Sequence, residues 1–426
     1  MSICKKIIIS GYFSIFSTLL IKKKMGCTAN GTTPSIDKRS LSSTNGTRPT
    51  LSSNSVLALT TGDPTVFQPF WRKMGDKSKV VIDGGELMSY FSDVGNVCWF
   101  LEPELGDAIR RLHRVVGNAV TEDRHIVVGT GSTQLFQAAL YALTIPAAAG
   151  VELEPVSVVS SAPYYSSYPE VVDCLRSGLY KWGGDACSFD KDGPYIEVVN
   201  SPNNPDGTLR ESVVKSGQGN VIYDLAYYWP QYTAITSAAD HDIMLFTCSK
   251  CTGHAGSRIG WALVKDKDIA KKMTQYITIT SIGVSKESQF RTAKIMGVIC
   301  DGCQNVGSAE SENFFEYARE LMSKRWQKLR EALQHSKCLS LFKYPRERCL
   351  FTGELNERLP AFAWLECKEG IKDCEEFLRG FDIVGRGGKA FGADPKFTRI
   401  SLLCREEDFN GVIERLLAIK GIRNGN

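Results

Sequence analysis

Five short apolar runs, each closing on polar or glycine residues at its carboxyl end, constrain this chain more than any other feature. They are Ile126-Val127-Val128, Val156-Ser157-Val158-Val159, Tyr195-Ile196-Glu197-Val198-Val199, Asn220-Val221-Ile222-Tyr223 and Asp242-Ile243-Met244-Leu245-Phe246. Short apolar runs rich in β-branched residues read as buried strands, and helical stretches alternate with them. The alternation predicts an α/β fold built on a large, mostly parallel sheet with helices on both faces. Ligands of such sheets bind outside the carboxyl ends of the strands. The polar tails of the runs are therefore where chemistry is expected.

The first run leads into Gly129-Thr130-Gly131-Ser132-Thr133-Gln134 and then an amphipathic stretch, Leu135 to Leu143. A strand, a Gly/Ser/Thr turn and a helix make an anion cup, because free N–H groups and the positive helix end face the turn. The run is neither a Walker loop nor GxGxxG, so nucleotide and dinucleotide readings find no support. Later tails carry Ala162-Pro163-Tyr164-Tyr165-Ser166-Ser167-Tyr168, Asn200-Ser201-Pro202-Asn203-Asn204-Pro205-Asp206-Gly207 and Asp224-Leu225-Ala226-Tyr227. The last run delivers Thr247-Cys248-Ser249-Lys250-Cys251, and Arg258 follows eight positions after Lys250. A lysine among small residues, with a cation nearby, has a lowered pKa and suits condensation with an aldehyde. The arginine suits an anionic group of the same ligand.

Collected at one sheet edge, these groups are the set that pyridoxal phosphate (PLP) needs. Lys250 is the amine for its aldehyde, and Asp224 keeps the pyridine nitrogen protonated so that the ring can accept electrons. Asn204 and Tyr227 donate to the ring's phenolic oxygen, and Tyr165 stacks on the ring. Ser132, Thr133, Thr247 or Ser249, and Arg258 hold the phosphate. Arg399, from a second domain, clamps a substrate carboxylate.

A chain of 426 residues exceeds the usual size of one core. The large cofactor domain is expected over residues 116–315, with a smaller α+β domain from residues 316–426 joined by residues 58–115, which also supply an interface arm. Glu104 to Val116 reads as a helix started by Pro103. Phe314, Tyr317, Leu321, Leu329 and Leu333 mark a long bridging helix. In the smaller domain Ala361-Phe362-Ala363-Trp364-Leu365 and Arg399-Ile400-Ser401-Leu402-Leu403 read as strands, with helices near Cys374–Leu378 and Phe409–Ile419. A formal charge of +4, with scattered basic residues, argues against nucleic-acid binding. Fourteen cysteines include the pairs Cys248/Cys251 and Cys300/Cys303. Their separation is long for a zinc site, and a metal beside Lys250 would block its amine. A reduced, cytosolic setting is the expectation.

Residues 1–24 hold an apolar stretch, 7–21, flanked by lysines. It reads as a short membrane anchor directed to the endoplasmic reticulum, as a signal-peptide core, or as sequence upstream of a true start at Met25. Residues 25–57 form a Ser/Thr/Asn-rich linker expected to lack order. The sequons at Asn30 and Asn45 matter only if this segment enters the secretory lumen.

The order of GTGSTQ, PYYSSY, SPNNPDG, DLAYY, SK with arginine eight later, and a late TRISLL resembles fold-type-I PLP aminotransferases. More narrowly, SYFSDVGNVCWFLEPEL, GPYIEVVNSPNNPDG, DHDIMLFTCSKCTGHAGSRIGWALVKDK and SIGVSKESQFRTAKI resemble the plant tryptophan aminotransferase family, kin of alliinase, over residues 58 to 422. The resemblance implies a homodimer with active sites at the subunit interface. It also implies amino transfer from L-tryptophan to pyruvate or another 2-oxo acid, giving indole-3-pyruvate for auxin biosynthesis. It assigns Lys250 as the Schiff-base lysine, Arg258 to phosphate, Asp224, Tyr227 and Asn204 to the ring, and Arg399 to the carboxylate. In some relatives a tyrosine after the Gly-Asp-Pro-Thr segment reaches the neighbouring subunit's phosphate, and Phe67 is expected at that place. The alternatives are an alliinase-type cysteine-sulfoxide lyase and an aminotransferase for other aromatic amino acids. Secreted lyases of that type carry a cysteine-rich module before the catalytic part, whereas residues 26–57 hold only Cys27.

Overall fold

The apolar runs pair as one seven-stranded sheet in a computed structural model that describes residues 56–144, 154–215, 219–304, 312–368 and 370–419. Its strands are β1 (His125–Gly129), β2 (Val156–Ser160), β3 (Tyr180–Asp185), β4 (Tyr195–Asn200), β5 (Gly219–Asp224), β6 (Ile243–Thr247) and β7 (Gly260–Val264). The spatial order is β1-β7-β6-β5-β4-β2-β3. All pairs are parallel except those of β7, which runs antiparallel between β1 and β6. Every residue of β2, β4, β6 and β7 is buried. Successive side chains point to opposite faces, so both faces of the sheet are covered.

Register sets the functional edge. Asn200 lies opposite Asp224, Asp224 opposite Leu245, and Thr247 opposite Gly260. The parallel strands thus end together, and β7 begins where they end. Helices α1 (Pro103–Val116), α2 (Ser132–Leu143), α3 (Ser167–Cys174), α4 (Lys267–Ser281), α5 (Lys286–Gln304) and α6 (Phe314–Leu333) surround this sheet. Pro103 opens α1, where its missing N–H costs nothing.

After α6 comes an antiparallel sheet of β8 (Leu339–Leu341), β9 (Phe362–Cys367), β10 (Arg386–Gly387) and β11 (Phe397–Ser401), in the order β10-β11-β9-β8. Helices α7 (Cys374–Arg379) and α8 (Glu406–Ala418) belong to the same region. The amino-terminal segment is stitched into it. Leu57–Ala58 pairs in parallel with Ile383–Val384, and the Ser401 N–H donates to Leu59 O at 3.1 Å. The described residues form one compact unit.

Several expectations are corrected. The last strand is Phe397–Ser401 and stops before Leu402 and Leu403. Tyr180–Asp185 is a strand despite Gly183-Gly184, which hid it from a search for apolar alternation. Phe67, expected where some relatives carry a tyrosine, packs into the core. It is fully buried, edge-on to Phe314 at 5.4 Å and packed over Gly253. Residues 7–21 and both sequons lie outside the described residues. Among the described residues no helix is long and apolar enough to cross a membrane.

The core behind the site contains a buried polar chain. Trp261 Nε1 donates to His113 Nε2 at 2.9 Å, so His113 Nδ1 carries the proton and donates to Asn118 Oδ1 at 2.8 Å. Asn118 Nδ2 then donates to Tyr228 O at 2.7 Å. Burial pushes His113 down to about 4 from an ordinary 6.5, with the Asn118 bond opposing. The unfolded chain therefore binds a proton that the folded one refuses between these values. Stability from this group is complete above pH 6.5 and falls away as pH drops toward 4, by about 3 kcal/mol. His113→Gln keeps an acceptor and a donor but cannot titrate. Its unfolding free energy, followed from pH 7 to 4, should fall less steeply by that amount.

Candidate active site

The site begins where β6 runs out. Thr247 caps the single helical turn Cys248–Cys251 by accepting from Ser249 N at 3.2 Å, and the turn projects Lys250. Gln231 Nε2 and Tyr232 OH both donate to Lys250 O at 3.2 Å, which fixes the backbone under the amine. Lys250 Nζ donates to Gly62 O and lies 6.0 Å from the centre of the Tyr227 ring. Burial, with Arg399 and Arg258 acting in the same direction and Asp63 against them, pulls its pKa down to about 8. An amine in that range is partly neutral near physiological pH and can act as nucleophile or base. Gly62 is packed closely against it. A Cβ on Gly62 would lie 2.8 Å from Phe362 Cζ and 2.9 Å from Lys250 Nζ.

The anion cup forms where α2 starts beside β7. Gly131 takes φ 79° at the N-cap, and Gln134 Oε1 accepts from Thr130 N at 2.7 Å. Arg258, itself left-handed at φ 53°, packs directly on this turn: a Cβ on Gly131 would lie 2.5 Å from Arg258 Nη2. A guanidinium thus faces the first turn of α2, which carries Ser132 and Thr133. The hydroxyl of Thr247 is engaged with Ser249 and with Ile259 O at 3.2 Å. Of the two residues considered for phosphate, Ser249 is the one whose own proton is left for a ligand.

Asp224 ends β5. Its Oδ2 accepts from Tyr168 OH at 2.8 Å and its Oδ1 from Ala226 N at 3.2 Å. Burial raises its pKa, the bonds from Tyr168 and Ala226 oppose this, and no basic side chain among the described residues offsets it. Tyr165 stands edge-on to Tyr168 at 5.3 Å. Across the opening, Arg399 Nη1 donates to Asn204 Oδ1 at 2.8 Å and Nη2 to Thr60 O. Its guanidinium lies 4.1 Å from the ring centre of Phe362 and 5.1 Å from that of Phe391. Burial lowers Arg399 to about 10, with Tyr227 raising and the adjacent Arg386 lowering it. Arg386 is its register partner on β10 and donates to Ser166 Oγ at 2.8 Å.

The residues present fit PLP. A neutralisable amine meets an aldehyde, a buried carboxylate without a cation meets a protonated ring nitrogen, and a guanidinium at a helix N-terminus meets a phosphate. Asn204 and Tyr227 reach the same cleft as Lys250 and Arg399. Sequence reading missed Tyr168, Gly62, Phe362 and Arg386. Only Tyr168 carried a signal, three residues after Tyr165 at the start of a helix.

Solved aminotransferases share this architecture. Aspartate aminotransferase from Thermus thermophilus with maleate matches with a TM-score of 0.58 over 86% of this chain and 92% of that one, at 19% identity. The fold is therefore the fold-type-I one of the solved aminotransferases. Within it the chain belongs to the allinase family, whose model matches residues 57–420. It is 55% identical over 362 residues to tryptophan aminotransferase-related protein 2 of Arabidopsis thaliana, covering 85% of this chain and 81% of that protein. It is 36% identical over 360 residues to alliin lyase of Allium cepa var. aggregatum, covering 83% and 79%.

Arg258→Ala removes the charge from the cup and leaves the helix end. The dissociation constant for PLP, titrated into cofactor-stripped protein, should rise by about 10- to 100-fold. An unchanged constant would place the phosphate elsewhere.

Proposed function

We propose that the protein transfers the amino group of L-tryptophan to pyruvate or another 2-oxo acid, giving indole-3-pyruvate for auxin biosynthesis. One observation carries the amino-acid part of this reading. Lys250 Nζ and Arg399 Nη2 donate to carbonyls two residues apart, Gly62 and Thr60, so a base and a carboxylate clamp share one opening. The identity to tryptophan aminotransferase-related protein 2, 55% against 36% for alliin lyase, supports the side-chain preference and the transfer outcome.

Bound PLP supplies an aldehyde and an electron-accepting ring. Asp224 holds a proton at the ring nitrogen, while Asn204 and Tyr227 donate to the ring oxygen. Ser132, Thr133, Ser249 and Arg258 hold the phosphate, and Tyr165 buttresses the ring face. Arg399 orients the substrate by its carboxylate in a bidentate grip. Lys250 Nζ takes the proton from the substrate's α-carbon, with Tyr227 beside it. The two Phe362 and Phe391 rings flanking Arg399 exclude water from the clamp and strengthen it.

A homodimer is part of the reading. Val81, Met88, Tyr90, Phe91 and Val94 expose apolar side chains within one short segment, as do Ile279 and Ile282 near Gln134 of the anion cup. Patches of this kind mark protein contacts. The twelve described cysteines are free thiols, which supports a cytosolic catalytic part, with residues 7–21 as its contact with the endoplasmic reticulum membrane.

Incubation with tryptophan plus pyruvate should yield indole-3-pyruvate and alanine. Incubation with an alkyl cysteine sulfoxide should leave the substrate intact. Release of pyruvate and ammonia from the sulfoxide would favour the lyase chemistry named for the Allium relative. Lys250→Ala should lose turnover by a factor of at least about 10⁴ while PLP still binds through its phosphate. A variant that stays active would refute the role given to Lys250.

A further inference from the structure

We propose that Tyr168 is a positioning residue whose phenolic hydroxyl fixes the Asp224 carboxylate as the counter-charge to the cofactor's ring nitrogen. The inference rests on the reading that this cleft holds PLP with its ring nitrogen at Asp224. Tyr168 is the second residue of α3 and is 3% exposed. Its hydroxyl donates to Asp224 Oδ2 at 2.8 Å, its one hydrogen bond among the described residues. The other oxygen, Oδ1, is held by Ala226 N at 3.2 Å. Two donors on two different oxygens fix the plane of the carboxylate. With Tyr168 removed, a single longer backbone bond remains and the group can rotate away from the ring.

The same side chain joins three parts of the site. Its ring stands edge-on to Tyr165 at 5.3 Å and 87°, and tilted against Phe136 at 5.2 Å. Phe136 belongs to α2, the helix that begins at the anion cup. A phenylalanine would supply all of that packing. The hydroxyl is therefore unexplained by the core and explained by Asp224.

Electrostatics point the same way. The titratable groups around Asp224 are Tyr168 on α3, Tyr165 in the turn before it and Tyr227 after β5. Burial, with Asp224 alongside, raises Tyr168 well above its ordinary value, so it remains a neutral donor. Burial raises Asp224, and the Tyr168 bond is the largest effect opposing that rise. Loss of the hydroxyl moves Asp224 further toward the protonated form, which cannot balance a positive ring nitrogen.

The test is a double-mutant cycle read as PLP affinity in cofactor-stripped protein: unmodified, Tyr168→Phe, Asp224→Asn, and both together. Tyr168→Phe alone should raise the dissociation constant about tenfold, and should add less than about twofold in the Asp224→Asn background. The deficit of Tyr168→Phe should widen as pH falls, because Asp224 protonates at higher pH once the hydroxyl is gone. Equal losses in the two backgrounds, or no loss in Tyr168→Phe, would overturn the inference and leave the cofactor site standing. If Asp224→Asn itself binds as tightly as unmodified protein, the assignment of Asp224 fails and the inference falls with it.

Discussion

An amine and a carboxylate are withdrawn from water in one cleft, and among the described residues neither forms an ion pair. Lys250 has a backbone carbonyl for company, two arginines that repel its proton, and Asp63 acting against them without an ion pair. Asp224 has a phenol and a backbone N–H. Burying charged groups without partners is costly, and folded proteins retain such an arrangement where a ligand completes it. In the proposed reading PLP completes both ends at once, with an aldehyde for the amine and a basic ring nitrogen for the acid. The sheet serves this arrangement by register. Parallel strands β4, β5 and β6 stop together, and the chemistry sits on the last residue of β5, Asp224, and in the turns that follow β4 and β6, on Asn204 and Lys250.

The antiparallel strand β7 gives the edge its third element. It returns directly from the Lys250 turn and runs between β6 and β1, which carries Gly260 against the start of α2. A Cβ there would lie 2.7 Å from Gly131 C and Ser132 N. That close approach brings Arg258, two residues earlier, onto the anion cup. Lys250 and Arg258 are thereby linked by one short loop, which is why their spacing in sequence was informative. The substrate side is assembled differently. Thr60 and Gly62 come from a segment stitched to the carboxyl-terminal sheet, and they meet Arg399 of β11 and Lys250 of the large sheet.

This difference decides what could be read beforehand. Residues at the ends of apolar runs were legible because strand polarity alone says which end faces a ligand. Lys250, Asp224, Asn204 and the GTGST turn follow from that rule, and Arg399 was placed with them as a clamp from a second domain, an assignment the family resemblance repeats. Gly62 was not legible, since its role is a carbonyl offered across 188 residues of sequence. Tyr168 was visible as one of a tyrosine cluster but not as the donor to Asp224, a contact between separate strand tails. Phe67 shows the opposite failure. Its position after a shared motif marked it as the counterpart of a tyrosine in some relatives, but said nothing of the core packing on Phe314 and Gly253 that holds its apolar ring. Strand β3 was missed because paired glycines carry no periodic signal, and its place is set by parallel pairing with β2.

The central claim is that one lysine bonds covalently to PLP at the carboxyl edge of the large sheet. Borohydride reduction of the PLP-loaded protein, followed by peptide mass mapping, tests it most directly. The expected result is a single reduced pyridoxyl adduct on Lys250. An adduct confined to another lysine, or none with cofactor bound, would contradict the account.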